Sequence, residues 1–486
     1  MLGDINVLFI AAEAEPFVKV GGLGDVAGSL PRYLRKLPPG IAGGRAPDVR
    51  LVLPLHSILK PDKGRYRPFS VFSIPYRSGA IPVQVFLSHF EGMPVYLLDA
   101  EPIGRTGSVY ATDSAIDAEK YTVFSLAALE LTRRLDWRPN ILHANDWHTA
   151  LACYALLLRR RLGEFEDIVT VLTIHNLHYM GPDLGSTLQH SGLAAVQTGL
   201  PAWARARPLA LGIWAADGLV AVSPSYAAEI QTEALGCGLH GYLSARNNSL
   251  LGILNGIDTE SYNPALDPAI PSNFGIPTLD RRSLNKTALQ MRLGLRTSEA
   301  IPLVAVVSRL DPQKGIDLLA PALRRLRGAE WQAVILGTGA PTLERSLKRL
   351  GREFPDRIRI ELRYDAVLAR QIYAGADILL MPSRYEPCGL AQLIAMRYGC
   401  VPIVSAVGGL RDTVVDAETG LVLGAPSSAH LASAIARAVS LLADRREWTR
   451  MQKAGMSKDF SWASSARQYL ELYQRLLARV DTSRQP

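Results

Sequence analysis

Asn6-Val7-Leu8-Phe9-Ile10-Ala11-Ala12 leads, through Glu13 and Glu15, into Lys19-Val20-Gly21-Gly22-Leu23-Gly24-Asp25-Val26. The first run is short and wholly apolar, bounded by polar residues, which predicts a strand buried on both faces. A helical pattern follows over residues 26–37. Strand, glycine-rich loop and helix in that order open a doubly wound α/β sheet, whose ligands gather beyond the carboxyl ends of the strands. Consecutive glycines let backbone N–H groups approach an anion, and the helix amino terminus adds a favourable dipole. A phosphate suits this loop. Gly22-x-Gly24-x-x-Ala27 also satisfies the dinucleotide pattern of a dehydrogenase. Against that reading, the glycines lie well beyond the strand, and the next strand ends Leu53-Pro54 with no acidic residue.

The same alternation continues along the chain. Strands are expected near residues 6–12, 49–54, 83–86, 95–98, 141–144, 169–174 and 218–222, and a second series near 303–307, 333–336, 358–362, 378–381 and 402–405. The class is α/β, with parallel sheets covered by helices. At 486 residues the chain exceeds the roughly 150 of one average domain, so two domains are expected. Asn255-Gly256-Ile257-Asp258 and a proline-rich stretch from Pro264 to Pro277 separate the two series. The expected division is an amino-terminal domain over 1–265, a linker over 266–295, a second domain over 296–458 and a closing helix over 459–486. Tyr469, Leu470, Leu472, Tyr473 and Leu476 give that helix an apolar face suited to packing back on the first domain. Two open sheets facing each other would form an interdomain cleft.

Composition excludes several classes. Hydrophobic residues make up 48% and charged residues 20%, ordinary globular usage that leaves no room for a disordered or fibrous chain. The net charge of +8 is modest for this length and does not require nucleic acid as partner. Only ten of the 53 basic residues are lysine, so a lysine inside a glycine-rich loop stands out. Cys153, Cys237, Cys388 and Cys400 form no CxxC pair, against a zinc site or a disulfide framework. Reduced thiols, no signal peptide and no apolar run long enough to span a membrane point to a cytoplasmic protein without membrane association.

Four further strings carry chemistry. His143-Ala144-Asn145-Asp146-Trp147-His148 and His175-Asn176-Leu177-His178-Tyr179-Met180-Gly181 each follow a predicted strand, where α/β sites collect side chains. Asp146 has a second reading as a helix cap. The histidine spacings assemble no metal cluster with carboxylates, so no metal is expected. In the second half, Ser308-Arg309-Leu310-Asp311-Pro312-Gln313-Lys314-Gly315 holds two cations on one loop, able to clamp a diphosphate and to stabilise its departure. Gly337-Thr338-Gly339 would let a backbone approach a nucleotide. Pro382-Ser383-Arg384-Tyr385-Glu386-Pro387-Cys388-Gly389-Leu390-Ala391-Gln392 places Glu386 where it could hold sugar hydroxyls, and the N–H groups of Cys388, Gly389 and Leu390 before a helix, facing an anion.

Together these strings resemble glycosyltransferase family 5, the bacterial glycogen synthases and plant starch synthases. The match runs over nearly the whole chain and adds Val222-Ser223-Pro224-Ser225-Tyr226, Gly236-Cys237-Gly238-Leu239 and Ile253-Leu254-Asn255-Gly256-Ile257-Asp258. The resemblance implies a GT-B fold of two Rossmann-like domains. It implies transfer of glucose from ADP-glucose to the 4-hydroxyl at the non-reducing end of an α-1,4-glucan such as glycogen, with retention of configuration. No cofactor or metal is implied. Carried over, Lys19, Gly21 and Gly22 would contact the donor, Asp25 would support their loop, and Arg309 with Lys314 would hold the diphosphate. Glu386 would bind the transferred glucose, Cys388, Gly389 and Leu390 would line its phosphate side, Gly337 would lie near the nucleotide, and His175 with Asp146 would complete the sugar pocket. No side chain is assigned as general base.

Three positions depart from the family's usual residues. Ile394 stands where many retaining GT-B enzymes carry a second glutamate, although family 5 commonly lacks it. Val20 replaces a frequent threonine, and His240 a frequent acidic residue. Two alternatives share the strings: a GT-B transferase using UDP-glucose or another acceptor, and a catalytically silent glucan-binding homologue.

Overall fold

The structure is a computed structural model that describes residues 4–41, 46–59, 66–193 and 196–483. The chain forms two compact units, residues 1–256 together with 462–486, and residues 257–461.

The first unit is built on a nine-stranded sheet: β1 Asn6–Ile10, β2 Asp48–Pro54, β3 Arg67–Tyr76, β4 Gly79–Phe90, β5 Met93–Asp99, β6 Ile141–Asn145, β7 Val169–Ile174, β8 Gly218–Ala221 and β9 Leu250–Gly252, in the order β3-β4-β5-β2-β1-β6-β7-β8-β9. β1 lies parallel to β2 on one side, Val7 opposite Val49, and to β6 on the other, Val7 opposite Ile141. The expectation of a purely parallel sheet is corrected at one edge, where β3-β4-β5 is antiparallel. β3 carries Pro68 and Pro75, which an edge strand tolerates and a central strand does not.

The first helix, Gly22–Arg35, begins four residues earlier than its periodicity suggests, so Gly22 and Asp25 lie in its opening turn. Leu23, Val26, Ala27, Leu30 and Leu34, spaced three and four apart, bury one face against β1 and β2. The helix Trp462–Ser483 packs into the same core through Trp462, Ala466, Tyr469, Leu470, Tyr473 and Leu476. Each large apolar side chain so buried stabilises the fold by about 1.5–3 kcal/mol. His143 on β6 fixes this helix: its Nδ1 lies 2.7 Å from the Tyr473 hydroxyl and its Nε2 2.8 Å from Thr173 Oγ1. Burial pushes the His143 imidazole down to about 3, so it is a neutral core group.

The second unit has six strands, β10 Leu303–Val307, β11 Gln332–Leu336, β12 Ile358–Glu361, β13 Ile378–Met381, β14 Val401–Ser405 and β15 Leu421–Leu423, all parallel, in the order β12-β11-β10-β13-β14-β15. This is the doubly wound order, and the reversal between β10 and β13 marks the crevice where such sheets bind ligands.

The expected linker over 266–295 is corrected, and the unit starts at Ile257 rather than at 296. Ile270, Phe274, Leu279, Leu289 and Leu293 belong to the second unit's core. Asp267, its side chain fully buried, accepts the Tyr398 hydroxyl at 2.5 Å and pairs with Arg370 at 3.2 Å. The proline-rich stretch is thus pinned by side chains, which periodicity does not report.

Candidate active site

In the first unit the sheet reverses direction of growth between β1 and β6, and the glycine-rich loop lies beyond β1. Its shape is set by Glu13. This carboxylate, buried directly after the strand, accepts the N–H of Val20, the N–H of Gly21 at 3.1 Å and the Tyr110 hydroxyl at 2.9 Å. Burial raises the Glu13 carboxyl above its ordinary value, and the three donors oppose that. Val20 therefore contributes its backbone, its side chain being exposed, so the loop's shape does not depend on which side chain stands there. Lys19 Nζ sits 2.5 Å from Asp25 Oδ1 and 3.0 Å from Glu15 Oε2, so Asp25 supports the loop through an ion pair. Burial raises the Asp25 carboxyl and Lys19 lowers it. The Gly22 and Leu23 N–H groups open the helix with no protein acceptor among the described residues, and the space where a Cβ at Gly22 would stand is empty.

Behind Tyr110 lies a buried lysine. Lys120 Nζ donates to the carbonyls of Ser108 at 3.1 Å and Val109 at 2.7 Å, Tyr121 donates to Val109 at 2.6 Å, and Asp117 receives the N–H of Ala111. Burial lowers the Lys120 ammonium to about 8. Glu13, Tyr110 and Lys120 escaped the sequence reading. Glu13 left one usable signal, a carboxylate straight after a buried strand; Tyr110 acts across 97 residues of chain, where local pattern carries nothing, and Lys120 bonds carbonyls 11 and 12 residues back in an irregular segment that no periodicity marks.

Asp146 follows β6 at φ +54. Its carboxylate makes no helix cap; it accepts the N–H of His175 at 2.7 Å and of Asn176 at 3.3 Å, so it shapes the loop after β7. Burial pushes the Asp146 carboxyl up to about 7 against those two donors. His175 Nε2 lies 3.0 Å from Asn145 Oδ1. The Asn145 amide nitrogen donates to the Ile10 carbonyl, so its oxygen can only accept and His175 Nε2 must carry the hydrogen. Burial pushes the His175 imidazole down to about 3, which leaves a neutral ring with Nδ1 as acceptor.

In the second unit, the loops after β10 and β13 meet at the reversal point. Lys314 Nζ lies 2.8 and 2.7 Å from the two oxygens of Glu386, and the Ser383 hydroxyl donates to the same carboxylate at 3.0 Å. Arg309, 56% exposed, pairs within its loop with Asp311 at 3.4 Å. Arg309 and Lys314 thus share a loop, and Lys314 is tied to Glu386. The N–H groups of Gly389 and Leu390 precede the helix Ala391–Arg397 and have no protein acceptor among the described residues; Cys388 is buried beside them. At Gly337 a Cβ would overlap the Ser308 carbonyl oxygen, and its N–H donates to the Glu361 carbonyl oxygen, so its smallness also serves the chain's own packing. Ile394 points into the apolar core. Among the described residues no three His, Cys, Asp or Glu side chains gather to hold a metal ion, and no helix is long and apolar enough to cross a membrane.

Residues 6–245 match the family model "Starch synthase catalytic domain" and residues 294–455 match "Glycosyl transferases group 1". Glycogen synthase of Geotalea daltonii is 38% identical, with 98% of this chain and 99% of that protein covered; glycogen synthase of Thermotoga maritima is 38% identical, with 98% and 100% covered. The chain belongs to the glycogen and starch synthase family. Among solved structures, the catalytic domain of starch synthase IV from Arabidopsis thaliana, bound to ADP and acarbose, is 33% identical with a TM-score of 0.89 over 98% of this chain and 100% of that one. Sucrose-phosphate synthase from Thermosynechococcus elongatus, 21% identical over 98% of this chain and 100% of that one with a TM-score of 0.64, shares the fold alone. The fold of this family member is GT-B, and the protein is a hexosyltransferase.

Proposed function

We propose that this synthase transfers glucose from ADP-glucose to the 4-hydroxyl at the non-reducing end of an α-1,4-glucan, with retention of configuration. The observation that carries the reading is the Lys314–Glu386–Ser383 constellation at the reversal point of the second sheet, a cation beside a carboxylate where a sugar diphosphate would lie. Lys314 and the exposed Arg309 guanidinium neutralise the diphosphate, with the Gly389 and Leu390 N–H groups as further donors. Glu386 accepts hydroxyls of the transferred glucose. In the first unit, the unpartnered N–H groups of Gly22 and Leu23 supply anion-binding donors, with Lys19 and Asp25 holding their loop. His175 accepts a sugar hydroxyl through Nδ1 and Asp146 keeps its loop in place.

The bond from glucose C1 to the diphosphate oxygen breaks, and a bond from C1 to the acceptor O4 forms on the same face. The acceptor proton passes to the leaving phosphate oxygen. His175 is neutral but serves as an anchor, so no side chain is required as base, and the two cations supply the transition-state stabilisation without a metal or cofactor. Transfer of labelled glucose to glycogen from ADP-glucose and from UDP-glucose tests this: ADP-glucose is the expected better donor. Preference for UDP-glucose overturns the donor assignment, and binding of glycogen without release of ADP overturns the enzymatic one.

A further inference from the structure

The Gly236-Cys237-Gly238-Leu239 string and two exposed aromatic residues have no part in the reaction as derived. Trp203 and Tyr179 each leave 48% of their surface open, whereas large aromatic rings are ordinarily well covered. Tyr179 lies on the loop that begins with His175. Trp203 lies on the turn Ala202–Ala204, and the two segments are zipped together: Leu184 N–H to the Ala206 carbonyl at 2.9 Å, Leu209 N–H to Met180 at 3.3 Å, and Arg207 Nη1 to Gly181 at 3.1 Å. Arg205 Nε closes the turn on the Leu200 carbonyl at 3.2 Å. The edge of the Trp203 ring rests on Gly238, where a Cβ would come to 3.0 Å from Cζ2, and Gly238 has φ +76. A side chain at 238 would be strained and would push the ring away. Trp203 Nε1–H has no protein acceptor among the described residues.

The ring is therefore seated by one edge on Gly238, with nearly half of its surface exposed and a donor at its edge that no described protein group takes. The apolar C–H face of a pyranose fits the negative face of such a ring, and a neighbouring hydroxyl can take the indole N–H. We propose that Trp203, seated on Gly238 and continued by Tyr179, is a stacking platform for glucosyl units of the acceptor chain behind its reacting end. The occupant is the α-1,4-glucan because Tyr179 lies on the loop of His175, assigned above to a sugar hydroxyl, and the segment of Trp203 is hydrogen-bonded to that loop. The proposal rests on the glucan-synthase reading and adds a second point of attachment for long acceptors.

The test uses the full chain with ADP-glucose and either maltose or maltoheptaose. Trp203→Ala raises the KM for maltoheptaose about three- to tenfold, leaves the KM for maltose and for ADP-glucose unchanged, and weakens maltoheptaose binding by calorimetry without donor by the same factor. Trp203→Phe restores most of both. Equal losses on the two acceptors, or a raised donor KM, mean a structural role and overturn the proposal, as does an unchanged maltoheptaose affinity. A dimer that falls to monomer in Trp203→Ala with unchanged acceptor KM identifies a second copy as occupant, and also overturns it. Failure of the wild type to transfer glucose at all would instead sink the glucan-synthase reading.

Discussion

Replacing Glu386 by glutamine separates the two jobs assigned to the constellation beyond β13. The amide keeps the shape and the hydrogen bond from Ser383, but removes the charge that now faces Lys314 at 2.7 Å. Breaking a buried ion pair by neutralising one partner costs about 3–5 kcal/mol. Lys314 keeps 19% of its side chain exposed, and this partial solvation discounts the cost to about 2–3 kcal/mol, or a fall in Tm of about 5–10 °C. ADP binding should change in the opposite direction. A diphosphate oxygen on the far side of the ammonium would stand about 5–6 Å from the Glu386 carboxylate. Two like charges at that distance repel by about 3 kcal/mol at an effective dielectric of about 20, and solvent screening leaves about 1–2 kcal/mol. Glu386→Gln is thus expected to bind ADP about five- to thirtyfold more tightly than wild type, while turnover falls by at least about a hundredfold. Lys314→Met should lose both. Calorimetric titration of the three proteins with ADP, beside a transfer assay, reads the difference. Glu386→Gln binding ADP as weakly as Lys314→Met would refute the division of labour.

The buried Lys120 gives a pH signature. Between its folded value of about 8 and its ordinary value of about 10.5, the unfolded chain binds a proton that the folded chain does not, so stability rises with pH through that window. The rise, on the order of 3 kcal/mol, should vanish in Lys120→Met when the two thermal unfolding curves are compared from pH 7.5 to 10.5; parallel curves would disprove it. Gly22→Ala should leave Tm unchanged, since nothing occupies the space of the new methyl, yet raise the KM for ADP-glucose. Gly337→Ala should fail to fold, and a Gly22→Ala enzyme with wild-type donor KM removes Gly22 from the site. Tyr473→Phe strips His143 Nδ1 of its partner and should cost about 1–3 kcal/mol in denaturant unfolding with unchanged kcat/KM; a lowered kcat/KM would tie the last helix to catalysis.

Strands buried on both faces were legible as apolar runs: β1, β6, β7, β10 and β13 fall where the sequence puts them. β3 was not, because an edge strand alternates with exposed residues and tolerates proline. β9 and β15, three residues each, are too short to carry a period. The stretch 266–295 reads as a linker since the order at its start comes from Asp267, Tyr398 and Arg370, partners up to 131 residues apart. Candidate residues were legible where a strand end delivers them: Asp146, His175, Lys314 and Glu386. The packing demand on Gly337 was not legible, because a glycine required by the chain's own close approach looks in sequence like one reserved for a ligand.

The helix Trp462–Ser483 completes the core of a unit whose first strand is Asn6–Ile10. During synthesis, that core stays open on one side until the second unit has been made. The second unit, roughly two hundred residues long, carries every strand of its own sheet between the two halves of the first. At about 5–20 residues per second, translating it takes about 10–40 s, during which the earlier segment holds an uncovered apolar face. The unit begun before its neighbour is finished after it, and ribosome-bound chains are most in need of chaperones in that interval.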